Sequence, residues 1–400
     1  MLPLSGVRVI AVEQYGAAPF GTLQLASLGA EVIKVESPRE AGDVSRAVGP
    51  HFMQHADPSV ASLFFQGFNH NKKSITLDLR QSQGQQILQR LAAGADALVS
   101  NLRGDVPARL GLTYAQLEAS NPKLVCAHLT AYGRNGARAA WPGYDYLMQA
   151  EAGYFDLTGE PDGPPTRFGL SVVDFMTGLA LALGVAAALV GARQTGRGRD
   201  VDVSLFDVAL YNLNYVATWF LNAGAGSSRA PRSAHLSLAP CQLYKTADGF
   251  IYIMCNKEKF WLELCNELAH PEWKQDIRFS SYSARLQHRA ELSAVLDRVF
   301  ETADTATWLE RFAGKVPCAP VYDVMQALSN PFVAASERIM EVPVAGDAAP
   351  VRVLRPPIHC GEPQPQPAAA PALGEHTEEI LHSLGYDAAT IRELRRQVVI

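Results

Sequence analysis

Short β-branched runs alternate along the first half of the chain with longer apolar or amphipathic stretches. Val7 to Val12 reads as a strand, followed by the loop Gln14 to Ala18. Pro19 suits the first turn of a helix that ends near Gly29. Glu31 to Glu36 is the next strand, so strand, helix and strand fit within the roughly thirty residues of a βαβ unit. The pattern continues with a strand over Ser74 to Leu79, a helix over Gly84 to Ala93 and a strand over Ala97 to Ser100. A helix near Tyr114 to Glu118 and a strand over Leu124 to Leu129 follow. Turns at Tyr132 to Gly136 and Trp141 to Asp145 lead into a helix near Tyr146 to Ala152. Beyond it the pattern predicts a strand over Asp200 to Ser204 and a helix over Leu205 to Leu221. Alternation of this kind predicts an α/β fold, with a parallel sheet covered by helices on both faces.

Between these elements lies the most distinctive stretch, Gly159 to Gly178. Pro161, Gly163, Pro164 and Pro165 make its first half a loop. Its second half opens a helix over Phe175 to Ala192 that carries no charge. That helix approaches the length of a membrane span. Its glycines and alanines predict instead a core helix packed closely on the sheet. Asp174 is the last ionisable group before it. At a helix start the dipole and free amides favour an ionised carboxylate. Such a group serves either as a helix cap or as a nucleophile at the rim of an apolar element.

The composition changes over residues 222–232, a Gly/Ser/Ala stretch that reads as a linker. A hairpin over Gln242 to Thr246 and Phe250 to Met254 follows. Helical patterns then run over Lys257 to Leu268, Ser283 to Glu301 and Thr305 to Phe312. The predicted organisation is a large α/β domain over residues 1–221 and a smaller α+β domain over 233–340. Residues 341–400 return to the large domain through a Pro/Ala-rich connection at Gly361 to Leu373. Two short helices, near Thr377 to Leu384 and Ala388 to Gln397, close the chain.

With 400 residues and 48% apolar residues, the chain is long enough for two cores and too apolar for disorder. A net charge of -5 argues against a dedicated nucleic-acid or anionic-membrane binder. The six cysteines have no C-x-x-C spacing, and Met1 to Gly6 has no signal-peptide pattern. Both point to a reduced, cytoplasmic protein. Neither a metal-ligand cluster nor G-x-G-x-x-G nor a P-loop occurs.

Ligands of parallel sheets sit at the carboxyl ends of strands. The segments flanking the predicted strands carry Arg39, Lys72, Lys73, Asn101, Arg103 and Arg109. Together such groups can hold a diphosphate and a further phosphate. Singly, each also reads as a solvated surface residue.

Several segments in register resemble the class III CoA-transferases, the family of formyl-CoA transferase and the carnitine CoA-transferases. They are Leu4 to Ile10, Leu28 to Glu36 with Gly42-Asp43, Asn71 to Leu79, and Pro142-Gly-Tyr-Asp145. Gly159 to Gly178, Gly196 to Val203 and Leu373 to Thr377 complete the set. The resemblance implies a Rossmann-like large domain, an interlocked homodimer, and coenzyme A as a co-substrate with no permanently bound cofactor. It implies that Asp174 is the nucleophile of an acyl-CoA:carboxylate CoA-transferase. The CoA site it implies is formed by Gly16, Ala17, Arg39, Lys72, Lys73, Asn101, Leu102 and Arg109, with Tyr144 and Asp145 near the thioester. The acids expected from the resemblance are short dicarboxylates such as succinate, malate or mesaconate, exchanged between molecules or within one. Arg134, Arg167 and His235 are candidates for a distal carboxylate.

Two departures from the family pattern stand out. The region Arg232 to Cys241 lacks a glycine-rich lid. The related α-methylacyl-CoA racemases, the alternative activity, carry His where Tyr144 stands. Tyrosine, with an ordinary pKa of about 10, is poorly suited to that proton transfer.

Overall fold

The computed structural model describes residues 1–226, 228–344, 348–362 and 367–400. Six strands form its main sheet: β1 (Arg8–Val12), β2 (Glu31–Glu36), β3 (Lys72–Thr76), β4 (Ala97–Ser100), β5 (Val125–Thr130) and β6 (Arg199–Ser204). Their order is β3-β2-β1-β4-β5-β6, with every neighbouring pair parallel. The chain builds outward from β1 to β3, then returns to place β4 on the other side of β1. That reversal leaves a crevice beyond the carboxyl ends of β1 and β4, the usual ligand position in such sheets. Strands β4 and β5 are buried throughout, as parallel strands covered on both faces must be.

One face of the sheet is covered by the helix Ser82–Ala93 and by the two C-terminal helices, Thr377–Ser383 and Ala388–Arg396. Ile87, Leu91, Leu381 and Leu394 join Ile10, Ile33 and Leu98 in one apolar cluster. The other face carries the helices Ala17–Ser27 and Val172–Thr195, which also pack on each other. These two cross backbone to backbone. A Cβ on Gly21 would lie 2.5 Å from the Gly178 carbonyl oxygen, and one on Gly178 would lie 2.4 Å from that of Ala17. Only glycine at both positions permits this approach, and it brings the start of the first helix against the first turns of the second.

The Val172–Thr195 helix is longer than its sequence pattern predicts, and it is not buried all round. Val173, Thr177, Leu181, Val185 and Leu189 form its inner stripe, while Leu179, Leu183 and Val190 are exposed. In length and mean hydropathy, 2.1 over its most apolar window, it resembles a membrane span. Its inner stripe nonetheless packs on β5 and β6.

Contacts divide the described chain into two units. The first comprises Met1–Ala152, Phe168–Thr218 and Glu337–Ile400. It includes the hairpin of β10 (Ile339–Val342) and β11 (Val351–Leu354). The second comprises Gly153–Arg167 and Trp219–Ser336. It holds the antiparallel sheet of β7 (Cys241–Lys245), β8 (Phe250–Met254) and β9 (Cys318–Pro320). Its core gathers Trp261, Phe279, Phe300 and Phe312. The stretch 153–167, which the sequence pattern assigns to the large domain, groups with this second unit, and so does the segment read as a linker. Ser227 of that segment and residues 363–366 of the Pro-rich connection lie outside the described residues.

Three local expectations are corrected. Strand β3 covers Lys72–Thr76 rather than Ser74 to Leu79, which draws Lys72 and Lys73 into the sheet. The helix expected over Leu205 to Leu221 breaks into Leu205–Asn212 and Tyr215–Ala223. Asn214 takes φ 43°, a left-handed conformation that asparagine tolerates better than most residues. The helix expected over Ser283 to Glu301 likewise breaks at His288.

Candidate active site

The crevice is built from the loop that leaves β1. Asn101, just past β4, grips that loop like a strand partner: its side chain accepts the Gln14 N–H at 2.9 Å and donates to the Gln14 carbonyl at 2.6 Å. The next residue, Tyr15, stands at φ 69°, an outlier for a bulky side chain. Its N–H donates to the Asp43 carboxylate at 3.0 Å. Gly16 then caps the helix Ala17–Ser27.

Beneath this loop lies a buried cluster of charges, with Glu13, Glu36 and Asp43 set against Lys34, Lys72 and Arg46. Lys34 pairs with Asp43 at 2.7 Å, Lys72 with Glu13 at 2.7 Å and Arg46 with Glu36 at 2.6 Å. The mutual neutralisation and the added hydrogen bonds make such burial tolerable. Removing one partner would leave a charge uncompensated.

Asp174 sits in the first turn of the Val172–Thr195 helix and is 7% exposed. Its carboxyl presses on Gly16, where a Cβ would lie 2.9 Å from Asp174 Oδ2. Behind it, Asp145 opens the helix Asp145–Glu151 and is itself buried. Asp145 Oδ2 accepts the Asp174 N–H at 2.9 Å, and Asp145 Oδ1 accepts from Gln149 at 2.6 Å. Burial, and then the Asp145 carboxylate, raise the Asp174 carboxyl from its ordinary value to about 7. This reverses the expectation that the helix start would favour its ionised form. Desolvation and a like charge outweigh the dipole because no hydrogen bond from a described residue offsets them. Burial, and then the Asp174 charge, also raise the Tyr15 phenol.

Asp174 opens onto a cleft of about 210 Å³ lined by Gln14, Tyr15, Gly16, Ala17, Asn101, Leu102, Arg103, Trp141 and Tyr144, among others. Gln14 and Leu102 also line a second cavity, of about 270 Å³, at the ends of β1, β2 and β3. Arg80 and Arg109 stand on its wall beside Asp78. Arg39 reaches this wall by pairing with Asp78 at 2.6 Å. Burial opposes ionisation of Asp78, but its hydrogen bonds from Arg80 and Arg39 hold the carboxyl down at about 2.

The residues singled out from the sequence therefore separate. Gly16, Ala17, Asn101, Leu102, Tyr144 and Asp174 meet at the cleft, and Leu102 and Arg109 meet at the neighbouring cavity. Asp145 stands behind Asp174 rather than on the wall. Lys72 and Lys73 line neither cavity. Lys72 is buried against Glu13, and burial, partly offset by Glu13, pushes its ammonium down to about 8. Lys73 points to the amino ends of the strands, where it pairs with Glu31 and Glu379. Arg134 is held by Asp200 and Asp202, and Arg167 and His235 belong to the second unit.

The sequence places Tyr15 in the loop after the first strand and Asp43 in a family-like segment but assigns no site role to either, nor to Arg80. Arg80 was within reach, since it directly follows the predicted strand Ser74 to Leu79. Tyr15 and Asp43 are joined by a backbone bond that no periodicity reveals.

The sequence matches CoA-transferase family III over residues 4–377. It is similar to the succinate–glutarate CoA-transferase of Agrobacterium fabrum, at 33% identity over 398 residues, covering 96% of each chain. It is also similar to the acetyl-CoA:oxalate CoA-transferase of Acetobacter aceti, at 34% identity over 342 residues, covering 85% of this chain and 86% of that one. A solved CaiB/BaiF family protein from Brucella suis superposes with a TM-score of 0.82 at 32% identity, covering 96% of this chain and 99% of that one.

Proposed function

The chain belongs to CoA-transferase family III, and from that footing we propose that it moves coenzyme A between two carboxylic acids through covalent intermediates on Asp174. It is a transferase of the EC 2.8.3 type. The observation that carries the mechanism is the Asp174 carboxyl itself. It is almost fully buried, pressed on Gly16 at the crevice, and raised to about 7.

A carboxylate of that basicity is a stronger nucleophile than an ordinary one and is still substantially ionised near neutral pH. In the proposed sequence an Asp174 oxygen attacks the donor's thioester carbonyl, and the C–S bond breaks. The products are an acyl-aspartyl anhydride and CoA thiolate. The thiolate then attacks the aspartyl carbonyl and expels the donor acid, leaving an aspartyl-CoA thioester. The acceptor carboxylate attacks that thioester, and the two steps run in reverse. No net oxidation occurs, and every proton taken up is returned.

The first amides of the Ala17–Ser27 helix have no intrahelical partner. With Gly16 seated on the carboxyl, the Gly16 and Ala17 N–H groups are our candidates for stabilising the tetrahedral oxyanions. Both intermediates are prone to hydrolysis, and the apolar wall of Leu102, Leu129, Trp141 and Leu205 favours exclusion of water. Arg80 and Arg109 on the wall of the adjoining cavity, which also carries Glu40, Asp43 and Asp78, are our candidates for the phosphates of CoA.

The relatives named above act on succinate, glutarate and oxalate, and we extend short dicarboxylic acids to this chain as its substrate class. The reading includes a homodimer. Leu183, Val190 and Tyr211 of the first unit are more than half exposed and apolar, as a subunit interface requires. Incubating the purified protein with succinyl-CoA and a panel of carboxylic acids, followed by mass spectrometry, tests the function. CoA should move to at least one dicarboxylate, and Asp174→Asn should bind CoA while losing turnover by several orders of magnitude. Turnover at the wild-type rate by that variant would overturn the assignment.

A further inference from the structure

Asp43 lines the neighbouring cavity but not the cleft that Asp174 faces, and it is bound to the backbone that carries that cleft. The chain turns tightly at Gly42, φ 80°, where a Cβ would strike Glu36 Oε2 at 2.7 Å. This turn seats the Asp43 N–H on the same Glu36 oxygen at 2.9 Å. The carboxyl is thereby aimed upward, with each oxygen given a separate task. Oδ2 meets Lys34 Nζ at 2.7 Å. Oδ1 accepts two amides, Ser45 at 2.8 Å and Tyr15 at 3.0 Å.

Tyr15 is the residue at φ 69°, and Gly16, which follows it, is the residue pressed on Asp174. A bulky side chain holds such a conformation only where its surroundings impose it. The Gln14 clamp of Asn101 fixes the residue before Tyr15 but makes no bond to Tyr15 itself. Lys34 and Asp43 are both buried, so the acceptor side of the bond to the Tyr15 amide is held away from bulk water.

We propose that Asp43 is a positioning residue for the transfer reaction: by accepting the Tyr15 N–H it holds the Tyr15–Gly16 backbone against the Asp174 carboxyl. Loss of that bond lets Tyr15 relax toward negative φ, and Gly16 then withdraws from Asp174. The charge on Asp43 has a second consequence. An isosteric amide at this position still offers an oxygen to Tyr15, but it loses the attraction to Lys34 that orients the group.

This inference rests on Asp174 being the nucleophile, and its test separates the two claims. The test is a double-mutant cycle between Asp43→Asn and Tyr15→Gly, read as kcat and KM for CoA transfer after active-site titration. Glycine adopts φ 69° without strain. In the Tyr15 background Asp43→Asn should lower kcat per active site by about tenfold or more, the scale of one left-handed residue's strain. In the Tyr15→Gly background the same substitution should lower kcat by less than about threefold. A merely structural Asp43 would lower the titrated fraction of active enzyme equally in both backgrounds and leave kcat per site alone. That outcome, or equal loss of kcat in both backgrounds, would overturn the proposal.

Hydrogen exchange on the unmodified protein needs no variant to fold. The Tyr15 amide should exchange as slowly as amides of the sheet, and exchange at the rate of an exposed loop would also overturn it. Retained turnover in Asp174→Asn would instead defeat the nucleophile assignment while leaving the Tyr15 exchange result standing.

Discussion

Asp145 and Asp174 face each other at the start of two helices, and the like charge of one raises the other. The sign of the resulting pH dependence follows directly. The nucleophile must be ionised, so kcat/KM should rise with pH through about 7, the value of the Asp174 carboxyl. Asp145→Asn keeps an oxygen for the Asp174 N–H and removes the charge. Burial remains the larger cause, so the acid limb should move to lower pH without disappearing. An unmoved limb in this variant would contradict the account.

A stability effect accompanies it. A carboxyl raised from its unfolded value of about 4 costs the fold nothing below that pH. The cost grows as pH climbs from about 4 to about 7 and is fully present above. Asp174→Asn removes that cost. It should therefore exceed the wild type in stability at pH 8 by roughly 2–4 kcal/mol and match it at pH 4. Denaturant unfolding at the two pH values checks this, and equal gains at both would refute the burial argument.

At the scale of elements, the sheet and its two flanking helices decide which basic residues reach the ligand. Arg80 and Arg109 stand beyond the carboxyl ends of strands, whereas Lys73 emerges at the amino ends. Replacing either arginine with alanine should weaken CoA binding by roughly 1.5–3 kcal/mol, the range for a hydrogen bond to a charged group. Lys73→Ala should change it by less than about 0.5 kcal/mol, as surface substitutions usually do. Calorimetric titration with CoA distinguishes these, and the opposite ranking would relocate the phosphate site.

This is also where the sequence was most and least informative. The edges of β2 and β4 were legible residue for residue, because turn residues bound them on both sides. The edge of β3 was not. Lys72 and Lys73 look like a solvated loop end, and nothing local says that Glu13, distant in sequence, pairs with Lys72 in the interior. Asp174 stood out through its uncharged helix and the family resemblance. Its charge state did not, because desolvation depends on Gly16, Asp145 and the packing of two helices. Asp43 left no periodic trace, since its contribution runs through another residue's amide.

For the whole molecule, the apolar outer face of the Val172–Thr195 helix asks for a partner surface. Sedimentation at low micromolar concentration should show two copies that do not separate on dilution. A monomer there would contradict the proposed homodimer. The central claim, however, is chemical: the group moved passes through a covalent bond to Asp174. The direct measurement is peptide mass spectrometry after incubating the wild type with an acyl-CoA in the absence of an acceptor acid, with and without hydroxylamine. The account predicts a hydroxylamine-sensitive adduct on the peptide that contains Asp174, absent from Asp174→Asn. Sustained CoA transfer with no adduct on that peptide, or with the adduct on another, would contradict it.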